Sequence, residues 1–293
     1  MAATGLIGAT VRVPMVWPHR AVVRRDAVDL RAEPSADSEL VDQAHWGEHV
    51  RVLAASGDWR YVQGEDLYFG WCPRADLYQF TKYGRNTVVV VASAPVRERP
   101  APTAPVMGEL PCGSLLPETR LTTPTGGLVP APPNLGGWLE VGIVGERGER
   151  TGFVSGDHVS ALVDLPHRYP TPDDLLATAE AFLGVPYLWG GTTLKGMDCS
   201  GFVQQVYRLN GVGLPRDADQ QSMFGRLVEE ARLGDLLFFG ADAVTHVAFA
   251  TSASEFLHSP MTGGTVERGQ LGGDRKLRAT RRYLPEVSEV RAS

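Results

Sequence analysis

Cysteine is scarce. Cys72, Cys112 and Cys199 are the only three in 293 residues. They are odd in number and none forms a CxxC pair, which argues against a disulfide framework and for reduced thiols in a cytoplasmic setting. Long apolar runs are missing too. No stretch approaches the ~18 residues of a membrane-spanning helix, so no membrane partner is expected. The opening MAATGLIGATVRVPMVWPHR lacks a basic start before an apolar run, and Arg12, Pro14 and Pro18 interrupt it. No secretory signal is read there, although export by an unrecognised route stays open. Nor is there a basic surplus. The 28 Lys and Arg residues are outnumbered by 34 Asp and Glu, a net charge of -6, which weighs against a nucleic-acid partner.

What the chain does have is enough apolar residue, 43%, for ordinary globular cores, over a length that suits two or three domains. With 33 Gly and 21 Pro, many turns and short strands are expected. Residues 20–163 hold β-branched runs between turn residues: HVRVLAA (49–55), WRYVQ (59–63), TVVVVAS (87–93) and WLEVGIV (138–144). The same landmarks occur twice. LRAEP (30–34) matches VRERP (96–100), GDWRYV (57–62) matches GGWLEV (136–141), and YFGWCPRADL (68–77) answers RTGFVSGDHV (150–159). The second copy carries insertions, among them TTPTGGLVPAPPNLGG (122–137). Two related all-β modules are expected, an N-terminal segment with the first over 1–81 and the second over 82–163. DLPHRYPTP (164–172) reads as a linker.

From residue 173 to 293 the pattern changes to α+β. TPDDLLATAEAFLG (171–184) is helical, with Thr171 as cap, Pro172 in the first turn and Asp173 and Asp174 at the positive end. DCSGFVQQVYRLNG (198–211) is a second helix with Asp198 as N-cap and Gly211 as stop. DLLFFG, THVAFA and EFLHSP (235–260) are strands.

The chemistry gathers in this last third. Cys199 sits at the first turn of its helix, where backbone N–H groups and the helix dipole favour a thiolate. His246 and His258 flank Thr251–Ser252–Ala253. A hairpin centred on Ser252 puts the two histidines opposite each other on one sheet face. A helix-start cysteine, a strand histidine and a second polar group that orients it form a nucleophile, base and orienter. The alternatives are an inert buried cysteine with two surface histidines, or a three-ligand zinc set; no HExxH or CxxC spacing supports the zinc. GGTTLKGMDCS (190–200) lacks the Lys-Ser/Thr of a P-loop and reads as a flexible approach to the cysteine. His45 and His49 form no metal pattern, and Cys72 and Cys112 read as small buried thiols. The basic run RKLRATRR (275–282) reads as a solvated face.

VPYLWGG (185–191), DCSGFV (198–203), PRDADQQ (215–221), GDLLFF (234–239), THVAFA (245–250) and FLHSP (256–260) occur in the order of NlpC-type bacterial cell-wall cysteine peptidases. The resemblance covers about 173–285. It implies a papain-like fold, cleavage of peptidoglycan stem peptides, Cys199 as nucleophile, His246 as base and His258 as the orienting third member. It also implies Tyr187 at the oxyanion site and Trp189, Asp198 and Ser200 in the substrate pocket. The order "L-R-x-x-P, strand, G-x-W-x-x-V, G-[WF]" upstream resembles bacterial SH3-like domains. Two such modules ahead of the peptidase resemble one subgroup, the γ-D-glutamyl-L-diamino acid endopeptidases of dipeptidyl-peptidase VI type that recycle murein peptides. By that resemblance Glu48, Tyr68 and Asp217 hold a free N-terminal amine, and Ala218 stands where the subgroup often has Ser.

The implied activity is hydrolysis of the bond between γ-D-glutamate and a diamino acid in murein-derived peptides with a free L-Ala, with no metal or organic cofactor. The oligomeric state is open, with a monomer favoured. Two other functions use the same residues: a catalytically silent murein-binding protein, or a Cys–His acyltransferase.

Overall fold

The computed structural model describes residues 19–79, 85–117, 120–122, 128–130, 137–145, 148–165, 168–272 and 275–285. The N-terminal segment 1–18, the middle of the junction near 80–86, most of the insertion at 122–137, and Pro166 and His167 of the linker lie outside the described residues.

The first module is a seven-stranded antiparallel sheet. Its order is Leu40–His45, Ala27–Arg31, Phe69–Pro73, Trp59–Gln63, His49–Ser56, His19–Val23, Leu77–Gln79. Alternation along Ala27–Arg31 turns Val28 and Leu30 inward, where they meet Val50, Val62 and Cys72. Each such side chain contributes about 1.5–3 kcal/mol by leaving water. Leu40–His45 departs from this pattern. One of its buried positions is the charged Asp42, 3% exposed, whose partner comes from the last domain.

The second module repeats the pairing order. Val106–Pro111, Ser93–Arg97, Gly148–Ser155 and Trp138–Gly145 form one sheet, and Leu115–Pro117, Arg85–Val89 and Val159–Ala161 a second. Taken in chain order, these strands follow the sequence of neighbours seen in the first module, with one break. The break falls where the insertion enters, and there Arg120–Thr122 and Leu128–Pro130 pair as a hairpin of their own. TVVVVAS is not one strand: pairing ends at Val89 and resumes at Ser93. The two modules are pinned together by Trp46, which belongs to the first yet packs in the core of the second with Val89, Leu110, Val141 and Val154. Gly47 follows at φ +79°, and a Cβ there would lie 1.9 Å from the Leu115 carbonyl oxygen. Only glycine lets the chains approach this closely.

The last domain opens with α1 (Pro172–Ala181). Thr171 and Asp174 form a reciprocal capping box, as the residues at the helix start suggest. The second helix, α2 (Cys199–Arg208), buries Phe202, Val203, Val206 and Tyr207 completely. A short helix, α3 (Ala218–Gln221), follows. These pack on a six-stranded sheet ordered Arg226–Val228, Leu277–Arg282, Leu236–Phe239, His246–Ala250, Glu255–His258, Glu267–Gln270. The run at 275–282 is a solvated face only over its first half, where Arg275, Lys276 and Arg278 are exposed. It supplies an interior strand in which Thr280 is buried and Arg282 pairs with Asp235 at 2.7 Å.

Candidate active site

Cys199 is the first residue of α2. The Asp198 carboxylate caps the helix, accepting the Gly201 N–H at 2.6 Å and the Gly190 N–H at 2.9 Å. Glycine at 201 is obligatory, since a Cβ would stand 2.3 Å from the Gly191 carbonyl oxygen. The thiol is half-buried and accepts backbone N–H groups from Ser200 and, across the sheet, from Val247. The helix start was expected to acidify it. Burial and the Asp198 charge outweigh those N–H groups and Arg216, and hold the thiol up at about 11.

His246 and His258 meet edge to face, with Nε2 of the first 2.8 Å from Nδ1 of the second. They are not directly opposite. The hairpin pairs Phe249 with Leu257 and Ala250 with Phe256, so its turn is longer than a three-residue loop centred on Ser252. Continued, this register sets His258 opposite Ala248, and His246 becomes its diagonal neighbour. Side-chain parity is unchanged, so both rings still share a face. Burial pushes His246 down to about 3 and His258 to about 4, with Arg275 adding to both and His258 to the first. Both rings are therefore neutral at pH 7. With a proton on His246 Nε2 donated to His258, His246 Nδ1 keeps a lone pair for a thiol proton. Nitrogens committed to each other at 2.8 Å do not converge on a shared zinc ion.

A cleft of about 300 Å³ opens over Cys199, lined by Trp189, Asp198 and Ser200, by Asp217 and Ala218 at the start of α3, and by Glu39 and Tyr68 of the first module. The Tyr68 hydroxyl donates to Asp217 Oδ2 at 3.0 Å, and Trp189 Nε1 donates to Glu39 Oε1 at 2.8 Å. Tyr187 stands beside the thiol. Burial, the Cys199 charge and Asp198 raise its phenol to about 12, so it stays a proton donor. A larger hollow, about 590 Å³, lies beside Pro172, Gly234 and Arg282 and holds none of these residues.

Residues 184–282 match the model of the NlpC/P60 family, and residues 30–77 match that of the bacterial dipeptidyl-peptidase Sh3 domain. The γ-D-glutamyl-L-lysine dipeptidyl-peptidase of Bacillus subtilis is 31% identical over 260 residues, covering 84% of this chain and 80% of the relative. Its namesake in Bacillus cereus is 30% identical over 285 residues, covering 85% and 76%. The chain belongs to the NlpC/P60 family. In fold it resembles a crystal structure of an NlpC/P60 family protein from Bacillus cereus, with a TM-score of 0.72 at 24% identity, over 91% of this chain and 100% of that one. It is thus an NlpC/P60 peptidase domain preceded by an SH3-like domain.

Within this NlpC/P60 protein the structure lines one cleft with Cys199, Trp189, Asp198, Ser200, Tyr68, Asp217 and Ala218, and it joins His246 to His258 on the strand whose Val247 N–H reaches the thiol. It does not bring Glu48 to the cleft. Glu48 is buried, 5% exposed, just past the C-terminal end of Leu40–His45. There it bonds His45 Nδ1 at 3.0 Å and pairs with Arg208 of α2. Arg208 and His45 hold its carboxyl down at about 2 against the burial that raises it. The carboxylate that the first module does present to the cleft is Glu39, one residue ahead of that strand. Glu39 carries no sequence signal that separates it from other exposed acids.

The loop 190–200 is no loose approach either. Thr192–Thr193 pairs with Gly196–Met197 in a buried hairpin. The first module grips it: Gln43 Oε1 accepts the Thr192 N–H at 3.0 Å, and His45 Nε2 lies 2.9 Å from Thr192 Oγ1. Gly190 takes φ +73° with its missing Cβ 2.4 Å from the Leu40 carbonyl oxygen.

Proposed function

We propose that this protein is a cysteine peptidase that cuts the γ-D-glutamyl–diamino acid bond of murein stem peptides whose N-terminal alanine is free. The observation that carries this reading is that Glu39, Tyr68 and Asp217 line the cleft that holds Cys199. A primary ammonium has three donors. Two carboxylates and a phenol oxygen are three acceptors lining that cleft. Residues 82–163, with their repeated strand order, are read as a second SH3-like module. The linker is 164–172 and the peptidase domain 173–293.

In the reaction Cys199 Sγ attacks the scissile carbonyl while His246 takes the thiol proton and passes it to the leaving amine. His258 fixes the His246 ring. The Cys199 N–H and the Tyr187 hydroxyl stabilise the oxyanion. Water then hydrolyses the thioester, returning the thiol and the free γ-carboxylate. No cofactor takes part. A requirement for a free alanine suits recycling of released peptides in the cytoplasm, because stems still joined to glycan carry an amide at that nitrogen.

The test compares L-Ala-γ-D-Glu-diamino acid with its N-acetyl form in wild type and Glu39→Gln. Charge-assisted hydrogen bonds of about 1.5–3 kcal/mol each give an expected preference for the free amine on the order of 10²-fold in kcat/KM, reduced in Glu39→Gln. Equal rates on both peptides refute the amine site.

A further inference from the structure

Arg216 is the largest fully buried side chain among the described residues, 1% exposed. A guanidinium so placed needs partners for its charge and donors. Nη1 donates to Asp198 Oδ1 and to Ser200 Oγ, both at 3.0 Å, and Nη2 donates to Asp198 Oδ2 at 2.7 Å. These residues stand on either side of Cys199. Nε donates to Asp42 Oδ1 at 2.7 Å. Asp42 lies 174 positions earlier, in another domain, on the strand that also grips the loop before the nucleophile.

We propose that Asp42 is a positioning residue for the Cys199 nucleophile: it holds Arg216, and Arg216 holds the residues on both sides of the thiol. The first module thereby acts on the reacting atom as well as on the substrate's amine. The two roles use different residues. Glu39 and Tyr68 line the cleft, whereas Asp42 is sealed behind it and touches no substrate.

The clamp also sets local charge. One guanidinium sits between two carboxylates, so the group carries one surplus negative charge close to the thiol. Around Cys199 stand Asp198, Arg216 and Tyr187, with the Val247 N–H reaching it from the strand that carries His246, and Arg275 faces the His246–His258 pair. Around Asp42 stand Arg216, Asp66 and Glu48, and its burial together with the two acids raises its carboxyl against the pull of Arg216. Replacing Asp42 by Asn keeps an oxygen to accept from Nε and removes the surplus charge. Replacing it by Ala removes both.

The experiment follows two readouts on the full chain. The first is alkylation of Cys199 by iodoacetamide across pH, quantified by mass spectrometry; it needs no peptide, so it stands even if the proposed substrate is wrong. In Asp42→Asn the alkylation midpoint is expected to move down by roughly 0.5–1 pH unit, the order of effect of removing one nearby negative charge in a medium of effective dielectric ~20–40. The second is kcat and KM on the free tripeptide. Asp42→Ala loses one charge-assisted hydrogen bond and should drop kcat about tenfold with KM within about twofold, and Asp42→Asn should recover most of that loss. Wild-type kcat in Asp42→Ala, or a loss confined to KM, overturns the proposal. Should Asp42→Ala fail to fold, a folded Asp42→Asn with an unmoved alkylation midpoint overturns it equally.

Discussion

Glu48→Gln should weaken the fold and leave substrate choice alone. In the native protein the Glu48 carboxyl is held at about 2, against an ordinary 4.5, by Arg208 and His45. A group whose native pKa is depressed stabilises the fold above its unfolded value, and that contribution disappears as pH falls through the native one. The difference corresponds to about 3 kcal/mol at neutral pH, in line with the roughly 3–5 kcal/mol lost when one partner of a buried ion pair is removed. Arg208 keeps 29% exposure and can turn to water, so the low end of that range is expected. Urea unfolding followed by tryptophan fluorescence at pH 7 should show the loss. Repeated from pH 5 down to pH 2, the gap between wild type and variant should close, because glutamine does not titrate. The preference for a free amine over an acetylated one should be unchanged. A destabilisation below about 1 kcal/mol, a gap constant with pH, or a collapse of amine preference would refute the assignment of Glu48 to the domain junction.

Three further outcomes concern the reacting groups. Cys199→Ala should fold normally and release no diamino acid; residual turnover would remove it as nucleophile. His246→Ala should cost more activity than His258→Ala, and His258→Asn should recover part of the second loss, since its amide oxygen still accepts from the base. Near-wild-type rates for His246→Ala would contradict this. Because the thiol is held up at about 11 and His246 down at about 3, the free enzyme rests as a neutral pair. Alkylation of Cys199 should therefore climb steadily from pH 6 to pH 10; a flat rate from pH 5 upward would mean a preformed ion pair.

Much of the peptidase domain was readable because its signals are local. Thr171 with Asp174, and Asp198 with Gly201, are caps spanning three residues, and the apolar face of α2 repeats within one helix. The hairpin was readable in parity though not in register: an error of two positions in the pairing left every side chain on its proper face, so the histidines met diagonally instead of directly. What failed was non-local. Glu48 and Glu39 are acids at opposite ends of one strand, and which end faces the cleft depends on how that strand lies against the loop 190–200. The partnership of Asp42 with Arg216 spans 174 positions and has no periodicity to betray it. The thiol's acidity is not legible either, because the dipole at a helix start is a local property, whereas the burial that overrides it is set by tertiary packing.

Trp46 gives the polypeptide a timetable. Its neighbours in the second module run from Val89 to Val159, so the last of them leaves the ribosome 113 residues after it. At ~5–20 residues per second this is roughly 6–23 s. Once Gln79 completes the first sheet, the first module has its strands in hand but its indole bare to solvent for the rest of that interval. The nascent chain is thus most exposed to misassociation between synthesis of the first module and closure of the second. Truncations that end near residue 80 should aggregate through that indole even though every strand of the first sheet is present.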